Sequence, residues 1–171
     1  MRKFFVLALC AIGLAGCLTY DNYYQLDSDY LNRRQIETMR FDTNDETAVL
    51  SASAQVLQDL GFTLEESETK LGLITASKNR EAGSTAGKAA IIMLAAMNKT
   101  QPVYDTEQKI YATIVSTKSR SASGYNVRVS FARRIWNNMH ESRTEKITDT
   151  QTYREFFDKL SQSLFLTAHE I

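Results

Sequence analysis

Apolar residues recur at helical spacing in two parts of the chain. From residue 45 to 60 they mark one face of a helix, since a helix turns once every 3.6 residues. That face holds Val49, Ala52, Val56 and Leu60. The preceding Thr43-Asn44-Asp45-Glu46 matches a capping box, and Gly61 is expected to end the helix because glycine reaches positive φ without steric cost. A wider apolar stripe from Thr152 onwards predicts a final helix that packs on a sheet. The stripe consists of Tyr153, Phe156, Phe157, Leu160, Leu164 and Ala168.

Alternating apolar and polar residues predict the strands of that sheet. The ranges are 33–42, 62–67, 71–78, 108–117 and 125–136. In the last two, one face is apolar and is assigned to the core: Ile110, Ala112, Ile114, Val127, Val129, Phe131 and Ile135. Arg133 is the charged exception on that face of its strand.

Sequential hairpins give an antiparallel sheet, and two amphipathic helices suffice to cover one of its faces. We therefore predict an α+β fold, a two-layer antiparallel sheet with helices packed on one face, plus an inserted apolar helix. The other face carries Arg128, Arg134 and Trp136, which point the same way because side chains alternate along a strand. Arginine and tryptophan are enriched at binding hot spots, so these three are candidate partner-binding residues. Alternatively, Trp136 is buried and the arginines pair with nearby acids.

The insertion spans residues 79–102 and contains a segment, 89–97, that is apolar on every side of a helix. Its large side chains are Ile91, Ile92, Met93, Leu94 and Met97. These nine residues rise about 14 Å as a helix, far less than the ~30 Å hydrocarbon core of a bilayer. The segment can be buried in the domain's own core, a partner's groove or the membrane interface. We predict that it docks on membrane or partner.

The N-terminus has the pattern of an export signal. Arg2 and Lys3 precede a short apolar run that ends at Leu14-Ala15-Gly16-Cys17, which is too short to span a bilayer. This ending resembles the lipobox of bacterial lipoproteins. The resemblance implies removal of residues 1–16 and acylation of Cys17, whereas an ordinary signal cut near Ala15 would leave a free thiol.

Several acyl chains on Cys17 would make attachment permanent, since each buried methylene contributes about 0.8 kcal/mol. The residue after the cysteine is Leu18 rather than Asp. By the same resemblance, this indicates the periplasmic face of the outer membrane. Residues 17–32 show no sustained period and are interpreted as a lipidated tether, followed by a single domain over 33–171.

Residues 44–78 carry a second resemblance. An amphipathic helix ends in Leu60-Gly61-Phe62, an acidic strand and turn follow, and then comes Leu71-Gly72-Leu73-Ile74. This order is similar to the repeated domain of the BamC (NlpB) family. The resemblance implies a lipid-anchored protein with a helix-grip domain and a place in the outer-membrane protein assembly machinery. This chain, however, has room for one such domain and a short tether.

Composition and motifs indicate no catalytic chemistry. Loss of residues 1–16 leaves 18 basic and 20 acidic side chains, a balance that does not favour nucleic acid. His140-Glu141 lacks the second histidine of a zinc motif, because position 144 is Thr144. The acids Glu65, Glu66 and Glu68 are interpreted as a solvated turn. We expect no enzyme activity, no cofactor and no metal site.

Two functions fit these observations. The first is a non-enzymatic binding or assembly accessory of an envelope machine, whose partners are the membrane, through the anchor, and other envelope proteins. The second is a periplasmic carrier of a small apolar ligand or lipid between the final helix and the sheet. The first is favoured because Phe156, Phe157 and Leu164 are large enough to fill that groove.

Overall fold

The computed structural model describes residues 29–120 and 123–169, with side chains up to residue 165. These residues form an α+β fold with four helices and an antiparallel sheet of six strands. The helices are α1 (Asp29–Ile36), α2 (Glu46–Asp59), α3 (Thr85–Asn98) and α4 (Thr150–His169). The strands are β1 (Thr38–Phe41), β2 (Thr63–Glu68), β3 (Leu73–Glu81), β4 (Asp105–Lys118), β5 (Tyr125–Asn137) and β6 (Ser142–Lys146).

The sheet has the order β1-β5-β4-β3-β2. β4 pairs with β5 along almost its whole length, so β1 and β6 share the other edge of β5, at its two ends. At the far side of the sheet, β2 pairs with β3 through a register shift between Leu64 and Glu66. Gly124, with φ +98°, lets β1 approach the start of β5, because any Cβ there would collide with the Phe41 carbonyl oxygen.

The core lies between the sheet and two helices. α2 packs against α4 and against β2, β3 and β4. The apolar faces predicted for β4 and β5 are buried, which confirms that assignment. Phe131 joins α4 to the sheet, since its ring centroid lies 5.4 Å from that of Tyr153 and 6.0 Å from that of Phe156.

The strand predicted at 33–42 is wrong in its first half. Residues up to Ile36 belong to α1, and only Thr38–Phe41 are extended. The run Arg33-Arg34-Gln35 consists of good helix formers, and Asp29 in the first turn with the two arginines in the last complements the helix dipole. The short alternation that suggested a strand belongs to β1 alone. β6 has no apolar residue, so no alternation in the sequence predicts it.

An aspartate precedes each of the two predicted helices as its cap, so α2 begins one residue later than predicted and α4 two residues earlier. The Asp45 carboxylate, rather than the Thr43 hydroxyl, accepts from the Ala48 amide at 2.9 Å and caps α2. At α4 the Thr152 amide donates to the Asp149 carboxylate at 3.0 Å, so Thr152 is inside the helix. Aspartate and threonine are both good caps, but the negative charge of aspartate also complements the N-terminal dipole.

Among the described residues, no helix is both long enough and apolar enough to cross a bilayer. The predicted signal peptide, the lipidation site Cys17 and most of the predicted tether fall outside the described residues.

Candidate binding surfaces

The structure brings together two of the three candidate residues on β5. The Arg134 guanidinium carbon lies 5.9 Å from the centroid of the Trp136 ring, within cation-π range. Trp136 is half-buried and Arg134 is exposed. Arg128 lies on the same face of β5, but six residues from Arg134, which is about 20 Å along the strand. The three therefore do not form one compact patch.

Farther across the same face, a polar cluster is satisfied internally. Glu65 accepts a hydrogen bond from Ser77 at 2.6 Å and another from Lys109 at 3.0 Å. The Ser77 bond, followed by the Lys109 bond, holds the pKa of Glu65 below its usual value. The bond to Glu65 correspondingly raises the pKa of Lys109. Glu65 is thus committed to the sheet's own contacts.

α3 exposes an unusual amount of apolar surface. The five large side chains singled out in the insertion are between 40% and 73% exposed, namely Ile91, Ile92, Met93, Leu94 and Met97. At 100° per residue, these positions point in every direction around the helix axis. Ala95 alone among the described residues of α3 is buried. Ser84 caps the helix by accepting from the Gly87 amide at 3.1 Å.

A groove of about 560 Å³ lies where the end of α2 and the start of α4 meet the sheet. We call it the cationic groove. Four basic residues line it, against two acidic ones, and its floor is apolar. The basic residues are Lys78, Arg80, Arg133 and Lys146, the acidic ones Asp149 and Glu155, and the floor includes Phe62, Ile110, Phe131 and Phe156.

Lys78 is the most enclosed cation of the groove. Its ammonium donates to the Leu60 carbonyl at 3.0 Å and lies 4.3 Å above the centroid of the Phe62 ring. Burial, assisted by the nearby charge of Arg80, lowers the pKa of Lys78. Within the described part of the chain, no carboxylate lies within ion-pair distance of this ammonium.

Arg133, the charged exception on the core face of β5, belongs to a chain of ion pairs beside the groove. It contacts Glu145 at 2.7 Å, and Glu145 also accepts from Arg143 at 2.8 Å. Arg143 holds both carboxylate oxygens of Asp105 at 2.7 Å. Hydrogen bonds from Arg143, and then from Arg133, lower the pKa of Glu145, and the Arg143 bond lowers that of Asp105. These pairs fasten β6 to β4 and β5.

A second, polar cavity of about 870 Å³ opens at the end of the sheet, lined in part by Trp136 and His140. Much of its polar lining is already engaged, since Gln108 donates to the Glu81 carbonyl and Asn138 to the Pro102 carbonyl. In residues 29–120 and 123–165, no three His, Cys, Asp or Glu side chains are grouped closely enough to hold a metal ion.

The pattern of apolar and polar residues does not predict the cationic groove, although β3 carries a signal of it. Lys78 and Arg80 continue the inward-facing positions of Ile74 and Ala76 on β3. Lys78 lies in register with Arg133 across β4. Cations at these inward-facing positions indicate that this end of the sheet extends beyond the apolar core.

No protein-family model matches the chain, and no curated protein is found to resemble it in sequence.

Proposed function

We propose that this protein is a lipid-anchored, non-enzymatic component of the bacterial cell envelope. Acyl chains on Cys17 would hold it at the periplasmic face of the outer membrane, where it binds another envelope protein as an accessory to that protein's assembly or anchoring. The lipobox resemblance supports the location. The exposed apolar side chains of α3 support the binding role.

α3 carries the proposal because its exposure is costly in water. Monomeric soluble proteins rarely expose large contiguous apolar patches, and those that do usually use them to bind. A helix that is apolar all round is normally buried. In this chain the five large side chains of α3 are instead 40–73% exposed. A partner that covers them would gain roughly 25 cal/mol for each Å² of apolar surface removed from water.

The distribution of these side chains favours a protein groove over a lipid surface. Helices that lie in the membrane interface have one apolar and one strongly polar face. α3 has no such polar face, because Ile91 to Leu94 occupy four successive directions around its axis. α3 also contains no acidic residue, while Lys88 and Lys99 lie at its two ends. We therefore propose that the partner protein binds α3 in an apolar groove with an acidic rim.

We also propose that the α+β domain is a helix-grip fold. Its support is the seating of α4 across the sheet, with Phe156 and Leu160 fully buried. Such a fold would agree with the resemblance of residues 44–78 to the BamC family. The placement of this protein beside an assembly machine rests on that resemblance.

Site-specific photo-crosslinking in intact envelopes tests the proposal. A benzophenone amino acid would replace Met93 or Met97 in the full-length, lipidated chain, and in a matched control it would replace the exposed Gln58 of α2. We expect a discrete adduct with one envelope protein from both α3 positions and none from position 58. Adducts with phospholipid only, with a second copy only, or equally from position 58 would contradict the proposal.

A further inference from the structure

The charges in the cationic groove are not balanced from within. Arg133 is paired with Glu145. The two acids of the groove keep their charges but form no ion pair with its basic residues, since Asp149 accepts from Thr152 and Glu155 from Gln151. Among the described residues, Lys78, Arg80 and Lys146 therefore face the groove with no carboxylate partner.

The lack of a carboxylate partner is least favourable for Lys78. Arg80 and Lys146 are exposed and can be hydrated, but Lys78 is half-buried against the Phe62 ring. A partly desolvated cation is stabilised by a nearby anion, and charge-assisted hydrogen bonds to phosphate or carboxylate are stronger than neutral ones. Its lowered pKa has the same origin, because burial and the charge of Arg80 both disfavour the ammonium form.

The floor of the groove is apolar directly beside these cations. Phe62, Ile110 and Phe131 lie beneath the opening, and Ile147 is half-buried at its side. A volume of about 560 Å³ is within the range of small-molecule sites, which combine a mainly apolar lining with a few polar groups that fix orientation. Asp149 already caps α4, so an incoming anion would be held by side chains and not by the helix terminus.

We propose that the cationic groove binds a phosphate ester with an apolar organic part. The phosphate would contact Arg80, Lys146 and the Lys78 ammonium, and the apolar part would lie on the aromatic floor. Arginine suits phosphate because its guanidinium offers parallel donors, and the two lysine ammonium groups add further charged donors. The ester could be the headgroup region of a phospholipid or a soluble metabolite, since both present this chemistry.

Calorimetric titration of the full-length, lipidated protein in a non-ionic detergent tests the site. The ligands are phenyl phosphate, inorganic phosphate and benzyl alcohol, which are water-soluble. We expect saturable binding of phenyl phosphate, at least tenfold tighter than that of inorganic phosphate, and none of benzyl alcohol. Arg80→Gln with Lys146→Gln should weaken it at least tenfold at an unchanged melting temperature, because both side chains are exposed.

A matched control removes the same charge elsewhere. Lys70→Gln with Lys118→Gln changes two exposed lysines at the opposite end of the sheet and should leave the affinity unchanged. Absence of saturable phenyl phosphate binding, equal affinity for inorganic phosphate, or an equal loss in the control would overturn the proposal.

The source of the ester is separated by a second measurement. Mass spectrometry of molecules released from protein purified from envelopes would detect either a phospholipid or a soluble phosphate ester. In either case we expect the Arg80→Gln/Lys146→Gln variant to release less of it than the control pair does. Equal amounts from both variants would contradict the assignment to this groove.

Discussion

Two buried serines on neighbouring strands differ in whether their hydroxyls have a partner. Ser77 on β3 donates to Glu65 at 2.6 Å. Ser116 on β4 is equally buried, yet its hydroxyl has no hydrogen-bond partner within the described part of the chain. A buried hydroxyl without a partner loses its hydration and gains nothing in return.

We expect Ser116→Ala to raise the free energy of unfolding by about 1 kcal/mol, because it removes an unsatisfied group at small loss of volume. Urea denaturation at pH 7 measures this. The matched variant Ser77→Ala should lower stability instead. The Ser77 bond is the chief cause of the lowered pKa of Glu65 in the folded protein. The stability that this bond gives is fully present above the ordinary pKa of a glutamate, and it is lost as the pH falls through the lower pKa of the folded state. The deficit of Ser77→Ala should therefore shrink in acid. A less stable Ser116→Ala would contradict this account.

At the scale of elements, α3 differs from the other long helices in what it contributes to folding. α2 buries Val49, Leu50, Val56 and Leu57 in the core. α3 buries only Ala95 among its described residues. We therefore infer that the domain gains little stability from the large side chains of α3.

This inference predicts a contrast within one helix. Ile91→Glu with Leu94→Glu should change the free energy of unfolding by less than about 0.5 kcal/mol, as is usual for exposed positions. Ala95→Glu should lower it by about 2 kcal/mol or more, because it places a charge at a buried position. Thermal melting of the full-length protein compares the two. Loss of the folding transition in the double variant would assign α3 to the core.

The elements with the strongest sequence periods are those that the structure confirms. The apolar face of α2 and the alternation of β4 and β5 follow from burial on one side, which leaves a repeated signal. α1 and β6 carry no comparable pattern, because α1 has no buried residue and β6 is held by ion pairs such as Arg143–Asp105. Local helix propensity favours α1, whereas β6 is formed by its pairing and ion pairs with the sheet, and neither element leaves an apolar period in the sequence.

The binding surfaces were predictable to different degrees. The exposed residues of α3 were singled out as candidates because an apolar stretch is visible in the sequence itself. The cationic groove depends on bringing Lys78, Arg133 and Lys146 together from three strands, and that arrangement requires the sheet order. The separation of Arg128 from Arg134 was also not taken into account, because the alternation of side chains shows that two residues share a face of the strand but not that they are close together.

At the scale of the whole molecule, the proposed anchor would determine which surfaces meet partners. The described residues from Leu31 onwards form one compact unit that carries both α3 and the cationic groove. Acylation of Cys17 would confine this unit to a thin layer beside the membrane, which raises the effective concentration of any envelope partner. A weak contact through α3 could then suffice for stable association.

The anchor makes a direct prediction. The thiol would be the acyl acceptor, so Cys17→Ser should abolish incorporation of radiolabelled palmitate. Cys10→Ser removes the other cysteine of the chain and is the matched control, because position 10 lies in the predicted signal peptide and should leave labelling intact. Labelled Cys17→Ser protein would contradict the lipoprotein assignment.

The borders of the sheet restrict how a partner can bind. β2 is an outermost strand, and it combines a register shift with the carboxylates of Glu65, Glu66 and Glu68. At the other border β1 has four residues and β6 has five. Interrupted, charged and short edges are the devices by which proteins prevent another chain from adding a strand. Addition of a partner's strand is therefore disfavoured at both borders. A partner protein would have to bind through side-chain contacts instead of hydrogen bonds to the backbone amides of an edge strand.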